Sequence, residues 1–200
     1  MAKIEWKAGN MLYPLPAVLI TSKGADGQPD VCTVAWCGTV CTNPPMLSIS
    51  LRPSRKTYEN IMETGVFAVN IPGENLARAT DYCGVRSGRN ENKFAAMGLT
   101  EEPAAHIDCP MLAEAPVSIE CRVRKTEELG SHTMFIADVL AVHVEESFVD
   151  DKGGFHFSDC RPLVYSHGEY CGLGKAHGTF GWSVRKKKIQ SGAKKRSKKA

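Results

Sequence analysis

No run of the chain approaches the ~18 consecutive apolar residues that a membrane helix needs. The stretch from Met1 to Leu12 has no continuous apolar segment of the kind a secretory signal carries. No C-x-x-C pair occurs, although there are eight cysteines at positions 32, 37, 41, 83, 109, 121, 160 and 171. A zinc ribbon and a thioredoxin-type redox motif are therefore unsupported, and a metal site is not expected. Without a leader, reduced thiols and a cytoplasmic location are the expectation. No G-x-x-x-x-G-K-[ST] loop is present, and Gly172-Leu173-Gly174 comes too late for a βαβ dinucleotide unit to follow. His167-Gly168-Glu169 matches H-x-E but is followed by no P-C-x-x-C, which removes the zinc deaminases. No internal repeat at a fixed period is visible.

Positive charge is scarce outside one place. The formal net charge is +3, but nine basic residues and no acidic one lie between Arg185 and Lys199. The remainder holds 16 Lys+Arg against 22 Asp+Glu, a net charge of −6. An acidic body with a short basic tail lacks the basic face of a nucleic-acid-binding domain, so no nucleic-acid partner is expected. With 42% hydrophobic and 24% charged residues, 200 residues suit a globular body. One domain over 1–184 and a basic, disordered tail over 185–200 are expected.

What is present is mostly strand-like. Leu15 to Ser22 and Val31 to Cys37 flank the turn-rich Lys23-Gly24-Ala25-Asp26-Gly27 and read as a hairpin. From Met46 to Leu51, Leu47, Ile49 and Leu51 alternate with Ser48 and Ser50, a half-buried strand. Ser54 to Thr64 reads as a helix closed by Gly65, and Val66 to Ile71 as the next strand. Short helices are expected over Asn75 to Tyr82 and Glu91 to Met97, with a loop over Gly84 to Asn90. Val117 to Arg124 alternates, and His132 to Val144 looks apolar on both faces and hence central. Pro162 to Ser166 is a last short strand. Many short strands without regular strand–helix alternation argue for an antiparallel barrel or sandwich, mainly β with short helices.

Four stretches carry chemistry. Ser48 to Thr57 packs Arg52, Arg55 and Lys56 with four hydroxyls at a strand end entering a helix. Free N–H groups, cations and hydroxyls at such a place suit a phosphate. A capped helix with solvated basic residues is the plainer reading. One compact cluster of this kind suits a terminal phosphate dianion. In Thr33-Val34-Ala35-Trp36, small residues admit a flat ligand and Trp36 either walls it or fills the core. Cys83 to Asn90 with Lys93 is an anion loop or an ordinary surface loop. His132 stands at the mouth of a central strand, where it bonds a carbonyl oxygen or a reactive ring, or is simply structural.

In order along the chain, Thr33-Val34-Ala35-Trp36, Asn43-Pro44-Pro45-Met46-Leu47-Ser48-Ile49-Ser50, Arg52-Pro53 with Thr57-Tyr58, and Val66-Phe67-Ala68-Val69-Asn70 appear. Asp81-Tyr82-Cys83-Gly84, Ser87-Gly88-Arg89, Lys93-Phe94, Gly98-Leu99-Thr100, Gly130-Ser131-His132 and Leu173-Gly174-Lys175 follow. No one piece is specific, but the ordered set, spanning roughly residues 12 to 184, resembles the flavin reductase-like family, and within it the flavoredoxin type. The resemblance implies a six-stranded antiparallel, Greek-key-like split barrel that binds FMN non-covalently at a homodimer interface. It implies a phosphate site at Ser50, Arg52, Lys56 and Thr57, with the ring along Thr33, Val34, Ala35 and Trp36. Cys83, Ser87, Lys93 and His132 would close the ring site beside Tyr165, with His132 as the catalytic residue. NAD(P)H is the implied co-substrate, and a small molecule or protein the acceptor. An FMN electron carrier without NAD(P)H turnover and a non-catalytic flavin-binding protein are the alternatives. Relatives often have Asn where this chain has Asp30. A carboxylate beside flavin would disfavour its reduced form, so Asp30 is expected to point away from the ring. Because flavin supplies the redox chemistry, the absence of a protein nucleophile or acid–base dyad is consistent with this family.

Overall fold

A computed structural model describes residues 1–185, so the basic tail beyond Arg185 lies outside the described residues. The elements in chain order are strands β1 (Leu15–Pro16), β2 (Val18–Lys23), β3 (Pro29–Val34), β4 (Cys37–Cys41) and β5 (Met46–Leu51), then helix α1 (Lys56–Thr64) and strand β6 (Val66–Ile71). Helices α2 (Ala77–Val85) and α3 (Lys93–Met97) follow. Strands β7 (Glu101–Pro103), β8 (Pro110–Leu112), β9 (Val117–Glu128), β10 (Thr133–Val144), β11 (Val164–Ser166) and β12 (Glu169–Cys171) complete the set.

Seven strands form one antiparallel sheet in the order β3-β2-β6-β9-β10-β5-β4. The β2–β3 hairpin lies at one edge and the β4–β5 hairpin at the other. The sheet curls into a half-barrel, so that β3 and β5 come back into contact. It holds one strand more than the six expected, because the chain breaks at Ala35–Trp36. Cys37–Cys41 then pairs with β5 as a strand of its own, instead of prolonging β3.

Strand β5 shows the predicted alternation directly: Leu47, Ile49 and Leu51 are buried, and Met46, Ser48 and Ser50 are half-buried. Strand β2 is buried on both faces, with Ile20 in the barrel and Leu19 beneath the helices. The barrel core gathers Ile20, Ile49, Ile61, Phe67, Cys121 and Phe135. A second core of Leu19, Val31, Leu76, Phe94 and Leu112 seals α2 and α3 against the sheet. Strand β10 is flanked by β9 and β5, as a central strand should be. It is not apolar-buried throughout, because its far half runs past the core and leaves Val142 55% exposed.

Helix α1 begins at Lys56, two residues later than the sequence suggested, and ends at Gly65 with φ 70°. That left-handed conformation lets the Gly65 N–H cap the Ile61 carbonyl and suits a residue without Cβ. The small sheet β1-β11-β12 pairs Leu15 with Tyr165 and folds the chain's last strands over one mouth of the barrel. Among the described residues, no helix is long and apolar enough to cross a membrane.

Candidate functional site

A cavity of about 480 Å³ opens where β3, β5, α2 and the small sheet converge. Its floor is Cys32, Thr33, Val34 and Ala35, the last residues of β3 and the break after it. The break is held in place by the Ser50 N–H, which donates to the Trp36 carbonyl at 2.8 Å. Trp36 therefore stands beside Ser50, Leu51 and Arg52, the end of β5, and all four line the cavity.

Two arginines line the cavity. Arg52 follows β5 directly, and Arg55 immediately precedes α1. Arg55 does not cap its helix. Its guanidinium reaches across and donates to the Gly84 carbonyl at 2.7 Å, which ties the start of α1 to the last turn of α2. Gly84 allows this approach: a Cβ there would stand 3.2 Å from Thr33 Cβ, tighter than ordinary packing. The Thr33 hydroxyl in turn donates to the Thr80 carbonyl, which locks α2 onto β3.

Aromatic rings line the cavity as well, beside Arg52. The rings of Trp36 and His132 are nearly parallel, 8° apart, with centroids 6.4 Å from one another. Tyr165 lies 6.4 Å from Trp36 and packs edge-on against Tyr170 at 5.7 Å. His132 Nδ1 is 2.9 Å from Ser131 Oγ. Burial, and then the charge of Arg52, hold its pKa below the ordinary histidine value, so the ring is neutral at pH 7. In the tautomer where Ser131 donates to Nδ1, Nε2 carries the ring proton. Burial, then Asp81, raises the Tyr170 pKa, so that phenol also stays protonated.

Of the sequence-predicted residues, the structure brings Thr33, Val34, Ala35, Trp36, Ser50, Arg52, His132 and Tyr165 together around this cavity. Five lie outside its lining. Lys56 points along α1 to a separate groove, 3.6 Å from Glu59 and 4.0 Å from Asp26. Thr57 is fully buried and donates to Asp30 Oδ2 at 2.5 Å, so neither it nor Ser54 caps the helix. Lys93 is buried in an ion pair with Asp30 Oδ1 at 3.0 Å. Cys83 faces the second core, and burial pushes its thiol up to about 12. Ser87 sits on the loop after α2, where its hydroxyl accepts from the Arg89 N–H at 3.3 Å. Asn10, Asp81, Ser131 and Tyr170 line the cavity without having been assigned to the site from the sequence. They come from four distant segments; Asp81 and Ser131 stand within short motifs quoted above, whereas no local pattern marked Asn10 or Tyr170. Among the described residues, no three His, Cys, Asp or Glu side chains gather as a metal site would require.

The family model described as "Flavin reductase like domain" matches residues 10–174. The chain belongs to that family. Its fold superimposes on flavoredoxin of Desulfovibrio vulgaris (Miyazaki F) with a TM-score of 0.86 and 33% identity, covering 92% of this chain and all of that one. An uncharacterised protein of Archaeoglobus fulgidus is 34% identical over 146 residues, 73% of this chain and 81% of the relative. The FMN reductase (NADH) RutF of Agrobacterium fabrum is 28% identical over 128 residues, 63% of this chain and 70% of the relative. The half-barrel is thus the split barrel of the flavin reductase-like family, and the cavity described above lies where its edge strand β3 meets the end of β5.

Proposed function

We propose that this protein binds FMN non-covalently in the cavity and acts as a flavin-dependent oxidoreductase, taking electrons from NAD(P)H and passing them to flavin or a small acceptor. The observation that carries the reading is the lining of one cavity: two arginines, the parallel Trp36 and His132 rings, and the small residues Thr33, Val34 and Ala35. The residues present fit the group. Arg52, Arg55 and Ser50 would hold the phosphate by charge-assisted hydrogen bonds. Thr33 to Trp36 offer backbone and small side chains to a flat ring, and the Nε2 proton of His132 is available to a ring carbonyl oxygen. Bound FMN supplies the two-electron chemistry, so the chain's own task is to seat, orient and shield it. The family and the NADH-dependent relative from Agrobacterium fabrum support the nicotinamide donor.

The reading includes a homodimer. Strand β4 is an edge strand with Val40 half-exposed, and Ile4, Trp6, Met11 and Leu12 of the N-terminal segment are exposed as well. A second copy would bury this surface and shield the cavity, and sedimentation equilibrium checks it. A second reading, an electron carrier that does not react with NAD(P)H, is favoured by the 33% identity to a flavoredoxin.

The test has two parts. Mass spectrometry of the cofactor released by heat should return FMN, and a dominant FAD peak or no flavin overturns the proposal. Anaerobic mixing with NADH and NADPH separately should bleach the bound flavin, and bleaching by neither selects the electron carrier. Arg52→Ala should weaken FMN by about 1.5–3 kcal/mol in a fluorescence titration. Lys56→Ala should leave the affinity nearly unchanged, because Lys56 faces the other groove.

A further inference from the structure

Asp30 lies in β3 two residues before Cys32, which lines the cavity. Residues two apart on a strand share a face, their Cα atoms roughly 6.6 Å apart. The Asp30 carboxylate therefore sits just under the cavity floor. Its side chain is 4% exposed, and that of Lys93 is 2% exposed. Both carboxylate oxygens are used, Oδ1 by the Lys93 ammonium at 3.0 Å and Oδ2 by the Thr57 hydroxyl at 2.5 Å. At Gly88 an added Cβ would collide with the same carboxylate. Strand β3, helices α1 and α3 and the loop after α2 thus converge on one pair of opposite charges, shut away from water.

A pair so placed needs a reason, because two buried charges stabilise a fold no better, as a rule, than well-packed apolar side chains. The cavity floor responds to both members. Burial raises the Cys32 thiol pKa, Lys93 and Arg55 oppose that rise, and Asp30 adds to it. Two fields of opposite sign therefore reach the atoms against which a flat ligand would rest. Reduction places additional negative charge on a flavin ring system, which a nearby cation favours and a nearby anion disfavours.

We propose that the Asp30–Lys93 pair sets the balance between the oxidised and reduced forms of the bound cofactor, Lys93 favouring the reduced form and Asp30 limiting that effect. This rests on the FMN reading above. The two residues act through space and touch no reacting atom, so they tune the site without taking part in the reaction.

The experiment measures the midpoint potential of bound FMN by equilibration with a redox dye, in the full-length protein and in Asp30→Asn, Lys93→Met and the double variant. Asp30→Asn should raise the potential, since it leaves Lys93 unopposed. Lys93→Met should lower it, since it leaves Asp30 unopposed. Each shift should correspond to about a tenfold change in the ratio of reduced to oxidised FMN affinity, about 30 mV for a two-electron couple. The double variant should return close to the starting value. If Lys93→Met does not fold, the rise in Asp30→Asn and its reversal in the double variant still decide the matter. Shifts of the same sign in both single variants, or no shift, overturn the proposal while leaving FMN binding standing. Failure of the unsubstituted protein to bind FMN overturns the FMN reading and this inference with it.

Discussion

Two carboxylates, Asp30 and Glu120, are buried in the same curled sheet and satisfied in opposite ways. Asp30, on β3 beside the cavity, meets a full cation and a hydroxyl, so its surroundings are electrically neutral. Glu120, on β9, accepts the backbone N–H groups of Ala105 and His106 at 2.8 and 2.7 Å and meets His143 Nε2 at 2.6 Å. It pins the segment between β7 and β8 to the sheet and is not part of the site cavity's lining. Amide dipoles suffice where the task is to hold a loop. Next to the candidate flavin site, the chain instead places a matched pair of charges. The difference teaches that buried charge near the cavity is balanced, whereas buried charge far from it is only anchored.

The largest expected effect breaks the neutral side. Lys93→Met leaves Asp30 buried and unpaired, and denaturant melts should show a loss of about 3–5 kcal/mol. Asp30→Asn combined with Lys93→Met should recover much of that, because no charge then remains. A smaller effect follows on the anchored side. Glu120→Gln weakens charged hydrogen bonds and should lower stability by about 1.5–3 kcal/mol, with FMN affinity unchanged in titration. If FMN affinity fell as well, the two regions would be coupled and the comparison would fail.

Acid sharpens the contrast further. Burial opposes ionisation of Glu120, but the hydrogen bonds from Ala105, His143 and His106 together outweigh it and hold its pKa below the usual glutamate value. A carboxyl depressed in the folded state stabilises fully above its unfolded value, about pH 4.3, and loses that contribution as pH falls through the folded one. The stability gap between the unsubstituted protein and Glu120→Gln should therefore be constant from pH 7 to 5 and close below about pH 4. The smallest expected effect concerns His132. Because its pKa lies below the ordinary value, the change in the rate of flavin reduction that accompanies His132 protonation, followed from pH 8 to 5, should have its midpoint below about pH 6.5. Stopped-flow traces across that range check it.

Much of this architecture was legible in residue order because its causes are local. Alternation in Leu47, Ile49 and Leu51 defined β5, Gly65 marked the end of α1, and Thr33 to Trp36 with Ser50, Arg52 and His132 marked the walls of one cavity. The rest depended on partners far apart in sequence. Starting α1 at Lys56 instead of Ser54 changes which side of the helix each residue faces, which sends Arg55 to the cavity and Lys56 away from it. Thr57 and Lys93 looked like anion ligands, yet one buried carboxylate on β3 claims both. Tyr170 reaches the cavity only because the small sheet and α2 meet there, a meeting that no short motif records.

The buried thiols give this molecule a built-in clock. Desolvation pushes Cys37, Cys83, Cys109 and Cys121 up to about 12, so at neutral pH the folded protein holds them protonated and slow to alkylate. Each belongs to a different part of the fold: β4 at the sheet edge, α2, the segment entering β8, and β9 in the middle. The rate at which each takes up an alkylating reagent thus reports how often its own neighbourhood opens. Mapping those rates by peptide mass spectrometry would rank the edge, the helices and the centre of the barrel by local opening free energy in a single unlabelled protein.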